Sequence, residues 1–222
     1  MRVKRRIALY GGTFDPVHTG HLEVARKVSQ LFEIEKVLFI PAQIAPHKIG
    51  RPVTAPVHRY AMLALATQND PELVISSFEL DAPDRRYTVD TIEHFQRELD
   101  AELFFIMGAD SWSEITTWRE WERLLMMTNL VVVTRPGSEP ARTHVGALGE
   151  RVVDLRSESM PRDARGIFFT DVVMNDVSAT NIRRLANEGR TGELVKFLPG
   201  PVLDYIRKYG IYRELNEAKF IS

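Results

Sequence analysis

Two histidines flank a glycine at the end of a glycine-rich turn. Residues Gly11–His21 read Gly-Gly-Thr-Phe-Asp-Pro-Val-His-Thr-Gly-His, follow the apolar run Ile7–Tyr10 and precede a helical pattern from Leu22. Glycines let a backbone approach an anion closely, and a helix N-terminus offers unpaired N–H groups. The stretch is neither GxGxxG nor a GxxxxGK[ST] P-loop. It therefore predicts a nucleotide site in which His18 and His21, rather than a lysine, donate to triphosphate oxygens.

Two later segments could bind further phosphate groups. Lys48, in a loop after the second predicted strand, is a mobile cation, although a solvated loop position is the commoner role of lysine. Ser178, Thr180 and Arg183 open a predicted helix, and hydroxyls, amides and an arginine together form an anion site. Helix capping alone would explain the two hydroxyl residues but not the arginine. Arg135, at the end of the fifth predicted strand, is a weaker candidate for contact with the nucleotide.

Two other segments could contact the rest of a substrate. Thr88 is a candidate N-cap with Asp90 in the first helical turn, a pattern that capping explains without a ligand. Asp110 follows the fourth predicted strand and could accept hydrogen bonds from ribose hydroxyls, with Gly108 allowing close approach. A capping role for Asp110 is about equally plausible on local grounds. Trp121 is predicted to pack in the core, the commoner fate of a helical tryptophan.

Composition excludes several classes of protein. The 222 residues include 44% hydrophobic and 27% charged residues, and the net charge of −1 gives no electrostatic case for a nucleic-acid partner. The absence of cysteine excludes disulfides, thiolate catalysis and cysteine-ligated metal centres. No apolar run reaches membrane-spanning length, and no signal-peptide core follows the basic N-terminus. We expect a cytoplasmic protein without a membrane partner.

Short apolar runs alternate with helical periods in the first part of the chain. The predicted strands are Ile7–Tyr10, Val37–Ile40, Val74–Phe78, Leu103–Met107 and Leu130–Val133. The predicted helices are Leu22–Phe32, Val57–Thr67, Val89–Leu99 and Trp118–Met127. This order predicts an α/β fold with a doubly wound, mostly parallel open sheet and helices on both faces. Such sheets bind ligands at the carboxyl ends of their strands.

The remainder of the sequence predicts a long surface loop followed by a strand and several C-terminal helices. Residues 136–166 are rich in Gly, Pro, Ser and Arg, with a short strand at Val152-Val153, and a further strand is predicted at Ile167–Val173. The later predicted helices are Asn181–Asn187, Glu193–Phe197 and Val202–Tyr209. We expect residues 1–187 to form the α/β domain and residues 188–222 a small helical appendage packed on it.

The tetrad His18-Thr19-Gly20-His21 resembles the T/HxGH signature of a nucleotidyltransferase superfamily. The whole turn is most similar to that of the bacterial nicotinate-mononucleotide adenylyltransferases. Four further segments agree with that family in order and spacing: Pro41–Lys48, Tyr87–Thr91, Gly108–Trp118 and Ser178–Arg183. The resemblance implies a Rossmann-like nucleotidyltransferase fold. It also implies adenylyl transfer from ATP to nicotinate mononucleotide, giving deamido-NAD and pyrophosphate, with Mg²⁺ carried by the ATP phosphates.

The resemblance also implies roles for individual residues. His18 and His21 are the catalytic pair, and Trp118 stacks on the nicotinate ring. The ATP-binding set is Gly11, Gly12, Thr13, Phe14, His18, His21, Gly108, Asp110, Ser178, Thr180 and Arg183. The nicotinate-mononucleotide set is Lys48, Tyr87, Thr88 and Trp118. The helix start at Thr88 presents N–H groups to the pyridine carboxylate, which favours nicotinate over nicotinamide. Ala42 and Ala45 depart from the usual asparagine and proline of the family's second loop.

Three other functions are alternatives. A transferase acting on pantetheine phosphate would share the histidine tetrad, but it has no acidic pyridine ring for the Tyr87–Thr91 and Trp118 segments to bind. A dinucleotide-sensing module would bind without releasing pyrophosphate. A nicotinamide-dependent oxidoreductase is disfavoured because the first turn lacks GxGxxG. The sequence leaves homo-oligomerisation open.

Overall fold

The computed structural model describes residues 4–43, 53–82, 84, 86–134, 146, 149–157, 166–171 and 177–213. The strands are β1 (Arg6–Gly12), β2 (Lys36–Pro41), β3 (Leu73–Ile75), β4 (Glu102–Gly108), β5 (Asn129–Val133), β6 (Val152–Asp154) and β7 (Ile167–Thr170). They form one sheet in the order β3-β2-β1-β4-β5-β7-β6, and each of these neighbouring pairs is parallel. The predicted α/β class with an open parallel sheet is confirmed.

Seven α-helices and several short 3₁₀ turns are present in the described part of the chain. The helices are α1 (Thr19–Phe32), α2 (Pro56–Thr67), α3 (Thr88–Glu98), α4 (Ala109–Ser113), α5 (Trp121–Met127), α6 (Ala179–Asn187) and α7 (Gly200–Tyr209). The 3₁₀ turns include Ile115–Thr117 and Glu193–Lys196. Among these described helices, none has the length and apolar character needed to cross a membrane.

The central strands β1, β4, β5 and β7 are buried on both faces, which is why they read as continuous apolar runs. In β1, Ala8 and Tyr10 point to one core, whereas Ile7 and Leu9 point to the other. The first core contains side chains from α1, α2, α6 and α7, and the second contains side chains from α3, α4 and α5. Residues after position 188, including Leu194 and Ile206, are buried within the first core. The sheet is therefore covered by helices on both sides.

The sheet order changes direction at β1. The chain runs outward from β1 through β2 to β3, and then returns so that β4 pairs with the other side of β1. The carboxyl ends of β1 and β4 consequently lie side by side and carry Gly12 and Gly108. The connections leaving these strands diverge to opposite sides, which opens a crevice for a ligand.

The structure corrects two predicted elements. The helix predicted over Trp118–Met127 begins at Trp121, because Trp118 is extended (φ −77°, ψ 145°) and Glu120 is left-handed (φ 51°). The strand predicted over Val74–Phe78 ends at Ile75, where the edge pairing with β2 also ends. The spacing of apolar residues in the sequence does not indicate either the later helix start or the earlier strand end.

Three other predictions have mixed outcomes. Trp121 is only half-buried at the edge of the second core, whereas Trp112 is fully buried. The short strand at Val152-Val153 is confirmed by β6, although residues 136–166 lie largely outside the described residues. The strand at Ile167–Val173 is observed to Thr170, and its last two residues are also outside the described ranges.

Candidate active site

A cavity of about 600 Å³ opens at the carboxyl ends of β1 and β4. The predicted site residues on its wall are Gly11, Gly12, Thr13, His21, Tyr87, Thr88, Gly108, Asp110 and Trp118. Another cavity, of about 510 Å³, lies at the opposite edge beside Lys4, Glu102 and Asn129, and its wall contains none of the predicted residues. The predicted Lys48 and Arg135 lie outside the described residues. The first cavity is thus the candidate active site.

The glycine turn after β1 is shaped by a buried aromatic ring. Phe14 has a left-handed backbone (φ 50°) and is 2% exposed, with its ring edge-on to Tyr10 at 5.5 Å between centroids. A side chain at Gly12 would place its Cβ 2.9 Å from that ring, so glycine is required there. The Phe14 side chain belongs to the first core, and contact of Phe14 with ATP stays a prediction.

The two histidines are stacked and unequally exposed to the cavity. Their ring centroids are 3.7 Å apart with an interplanar angle of 23°, and the His18 backbone N–H donates to His21 Nδ1 at 3.2 Å. A neutral His21 whose Nδ1 accepts must carry its proton on Nε2, which is then a donor. Because His21 lies on the cavity wall, this donor is suited to a phosphate oxygen.

His18 lies behind His21 rather than on the cavity wall. Its side chain is buried, and its Nδ1 has no hydrogen-bond partner among the described residues. Burial lowers the pKa of the His18 imidazole from 6.5 to about 4, so the ring is neutral at physiological pH. A side chain at Gly20 would bring its Cβ 3.2 Å from this Nδ1, which explains the glycine between the histidines.

The start of α6 adjoins the histidine turn without lining the cavity. The Asn181 backbone N–H donates to Ser178 Oγ at 3.4 Å, which makes Ser178 the N-cap. Arg183 donates from Nη1 to the Asp15 carbonyl oxygen at 2.7 Å and from Nη2 to Thr180 Oγ1 at 3.1 Å. The predicted anion-binding residues are therefore held against the turn that carries the histidines.

The opposite end of the cavity is formed by the start of α3 and by Trp118. Tyr87, rather than the predicted Thr88, occupies the N-cap position, and Thr88 is the first helical residue. The Tyr87 backbone N–H donates to Asp90 Oδ2 at 3.1 Å, so the capping carboxylate reaches back from the first turn. Trp118 lies edge-on to Phe105 with 6.5 Å between ring centroids.

Four charged residues on the cavity wall were missed by the sequence analysis: Glu79, Arg86, Glu114 and Arg119. Glu79 accepts a hydrogen bond from Thr91 Oγ1 at 2.7 Å, and burial raises the pKa of its carboxyl group. The Arg119 guanidinium lies 4.9 Å from the centroid of the Tyr87 ring. These residues occur in irregular segments, where no periodic pattern could identify them.

A buried arginine beneath the cavity was also missed. Arg59, in α2, is 0% exposed and donates to three backbone carbonyls, those of Thr54 (2.9 Å), Thr13 (2.8 Å) and Gln43 (3.4 Å). Burial lowers the pKa of its guanidinium, and the nearby Asp15 carboxylate opposes that change. The sequence does contain an indication that Arg59 is buried. It precedes Met62 by three residues and therefore lies on the apolar face of α2.

The described residues provide no preformed metal cage. No group of three or more histidine, aspartate or glutamate side chains is placed among them to hold a metal ion. Mg²⁺ commonly binds through substrate phosphates and one or two carboxylates, keeping several waters. The open phosphate side of the cavity and the Asp110 carboxylate on its wall are compatible with a Mg²⁺ ion that enters with a nucleotide.

Comparisons with known proteins agree on one family. The sequence profile of the family described as cytidylyltransferase-like matches residues 9–185. A probable nicotinate-nucleotide adenylyltransferase of Thermomicrobium roseum is 39% identical, with the similarity covering 95% of this chain and 93% of that protein. Another, of Thermoanaerobacter sp. (strain X514), is 38% identical, with coverage of 98% and 99%.

Solved structures share the fold at lower identity. The nicotinic acid mononucleotide adenylyltransferase of Plasmodium falciparum complexed with NaAD has a TM-score of 0.71 and 18% identity, over 94% of this chain and 97% of that one. The same enzyme complexed with APC has a TM-score of 0.70 and 19% identity, with the same coverage. These similarities confirm the predicted Rossmann-like nucleotidyltransferase fold.

The burial of His18 predicts a pH-dependent stability. In the unfolded chain the His18 imidazole has its ordinary pKa of 6.5, whereas in the folded protein its pKa is about 4. The unfolded state binds more protons in this window, so stability falls as the pH is lowered through it. Urea unfolding between about pH 7 and about pH 4.5 should show a loss about 2 kcal/mol larger in the wild type than in His18→Gln. Parallel stability curves would contradict the burial of a neutral imidazole.

The hydrogen bonds of Arg59 predict a large effect on stability. Arg59→Met leaves the carbonyl oxygens of Thr13, Gln43 and Thr54 without this donor and leaves the Asp15 carboxylate without its buried counter-charge. The free energy of unfolding should fall by about 3–5 kcal/mol, measured by urea denaturation. Arg184→Met, at an exposed arginine of α6, is the matched control and should have a much smaller effect. Equal losses in both variants would show that the buried network is not stabilising.

Proposed function

Because the chain belongs to the cytidylyltransferase-like family, and within it to the nicotinate-nucleotide adenylyltransferases, we propose that it transfers the adenylyl group of ATP to nicotinate mononucleotide. The products are nicotinate adenine dinucleotide (deamido-NAD) and pyrophosphate, which makes the reaction a step of NAD biosynthesis. One observation carries the assignment. A single cavity joins a donor imidazole at the glycine turn to a helix N-terminus and a tryptophan at its other end.

The reaction needs positioning and charge neutralisation more than an activated nucleophile. The phosphate oxygen of nicotinate mononucleotide is already anionic when it attacks the α-phosphorus of ATP in line. The bond from that phosphorus to the bridging oxygen then breaks, and pyrophosphate leaves. His21 Nε2–H donates to a non-bridging α-phosphate oxygen, and the neutral His18 ring stacked behind it fixes its orientation. No covalent enzyme intermediate is required.

The remaining residues of the phosphate end have supporting roles. Ser178, Thr180 and Arg183 bind the β- and γ-phosphates at the start of α6, supported by their position against the histidine turn. Asp110 accepts hydrogen bonds from the ribose of ATP, and the exposed Gly108 allows the nucleotide to come close. When bound to the phosphates, Mg²⁺ neutralises charge on them. Lys48 and Arg135 stay predictions of the sequence.

The pyridine end favours a carboxylate. The first turn of α3 begins on the cavity wall at Thr88, after the Tyr87 N–H that is bonded to Asp90, and the positive end of the helix dipole lies at this wall. Arg86 and Arg119 add positive charge to that part of the wall, and the carboxyl groups of Glu79 and Glu114 also lie on the cavity wall. Trp118 provides an aromatic face for the electron-poor ring. Cytoplasmic location, homo-oligomerisation and the absence of a nucleic-acid partner stay predictions.

Removing the donor imidazole tests the assignment. His21→Ala should lower kcat by about 10²–10³-fold without loss of fold, the scale expected for one preorganised donor. The measurement is pyrophosphate release from ATP and nicotinate mononucleotide. His94→Ala is the matched control, because His94 also stacks on an aromatic ring, 3.9 Å from Phe78, but is absent from the cavity wall. Unchanged turnover in folded His21→Ala would refute the role of His21, and binding without pyrophosphate release by the wild type would instead favour a sensing module.

The helix N-terminus predicts discrimination between two substrates. Replacing the pyridine carboxylate by a carboxamide removes a charged hydrogen-bond acceptor, which typically costs about 1.5–3 kcal/mol. The value of kcat/KM for nicotinamide mononucleotide should therefore be about 10–100-fold lower than for nicotinate mononucleotide, measured in the same assay at matched concentrations. Comparable values would refute the carboxylate argument and leave adenylyl transfer intact.

A further inference from the structure

A tyrosine close to the end of the described chain contacts the catalytic turn. The Tyr212 hydroxyl donates to Asp15 Oδ1 at 2.7 Å, across a sequence separation of 197 residues. Asp15 lies three residues before His18 in the turn, whereas Tyr212 lies beyond residues 9–185, which the family profile matches. The contact therefore joins the reaction site to a segment outside the matched region.

The chain reverses direction after α7 to make this contact. Gly210 is left-handed (φ 63°), and the backbone N–H groups of Gly210 and Ile211 both donate to the Ile206 carbonyl oxygen. Tyr212 is itself left-handed (φ 70°), a conformation that is unfavourable for a non-glycine residue unless its surroundings hold it. Its side chain packs against the first core, with the hydroxyl group towards Asp15.

Asp15 receives contacts from several parts of the chain. It is 4% exposed, and its second carboxylate oxygen, Oδ2, accepts from the Thr54 backbone N–H at 3.3 Å. Its carbonyl oxygen accepts from Arg183. Thr54 is in turn bonded through its carbonyl oxygen to the buried Arg59. The position of Asp15 is thus set by donors from three segments, and Tyr212 supplies one of them.

We propose that Tyr212 is a positioning residue for adenylyl transfer, whose hydroxyl fixes Asp15 and thereby the turn that carries His18 and His21. This rests on the proposed function. Burial and the neighbouring Asp15 carboxylate raise the pKa of Tyr212, so the phenol stays a neutral donor across the physiological range. Without this donor, one carboxylate oxygen in a site closed to bulk water loses a hydrogen bond, and the turn can shift to recover it.

The matched variants are Tyr212→Phe and Tyr205→Phe. Each removes one hydroxyl and leaves the ring, but the Tyr205 hydroxyl bonds His58 Nδ1 at 2.8 Å instead of Asp15. In Tyr212→Phe, kcat should fall about tenfold while both KM values stay within about twofold, because a displaced turn misplaces His21 without removing a substrate contact. Tyr205→Phe should change kcat by less than about twofold.

A second readout is independent of turnover. NMR spectra of the imidazole signals of full-length protein should show the His18 and His21 resonances shifted by Tyr212→Phe, and only the His58 resonance shifted by Tyr205→Phe. Unmoved His18 and His21 signals would overturn the proposal, as would a kcat loss of equal size in both variants. Wild-type protein that releases no pyrophosphate would overturn the proposed function alone, since the NMR comparison still decides the role of Tyr212.

Discussion

The cation of Arg59 has to be balanced inside the protein, because its side chain is fully buried. Removing a charge from water costs several kcal/mol unless its hydrogen bonds are satisfied and an opposite charge lies near. Here the acceptors are the backbone carbonyls of Thr13 and Gln43, which follow β1 and β2, and that of Thr54, which precedes α2. Asp15 supplies the opposite charge. These loops cannot relax independently, and the first two reach the cavity wall at Thr13 and Ala42.

A rigid frame suits a reaction between two anions. If the site bound both substrates through many mobile cations, it would stabilise the ground state as much as the transition state, and the rate would not gain. At its phosphate end, the described part of the site presents instead fixed dipoles, a neutral His18 and the oriented His21 donor. Even the cation of Arg183 is fixed in place, because its guanidinium donates both to the Asp15 carbonyl oxygen and to Thr180 Oγ1.

The pattern of apolar residues along the sequence predicted the central strands but not the exact ends of the helices. The strands around β1 and β4 were found because burial on both faces produces unbroken apolar runs. The predicted N-cap of α3 was wrong by one residue, because the Asp90 side chain bonds back to Tyr87. The predicted start of α5 was wrong by three residues, because Glu120 is left-handed. Part of the cavity wall followed from motifs at strand ends, such as Gly12 and Gly108, whereas Glu79 acquires its position only through its tertiary bond to Thr91.

The turn that carries the histidines is held by contacts of long range. Asp15 meets Thr54, Arg183 and Tyr212 across sequence separations of 39, 168 and 197 residues. Closing such loops costs conformational entropy that a few hydrogen bonds do not recover, so the two apolar cores must supply the difference. The geometry of His18 and His21 therefore forms together with the assembled sheet and its helices. The conformation of this turn is a property of the whole folded chain, including the segment after α7, and not of the tetrad by itself.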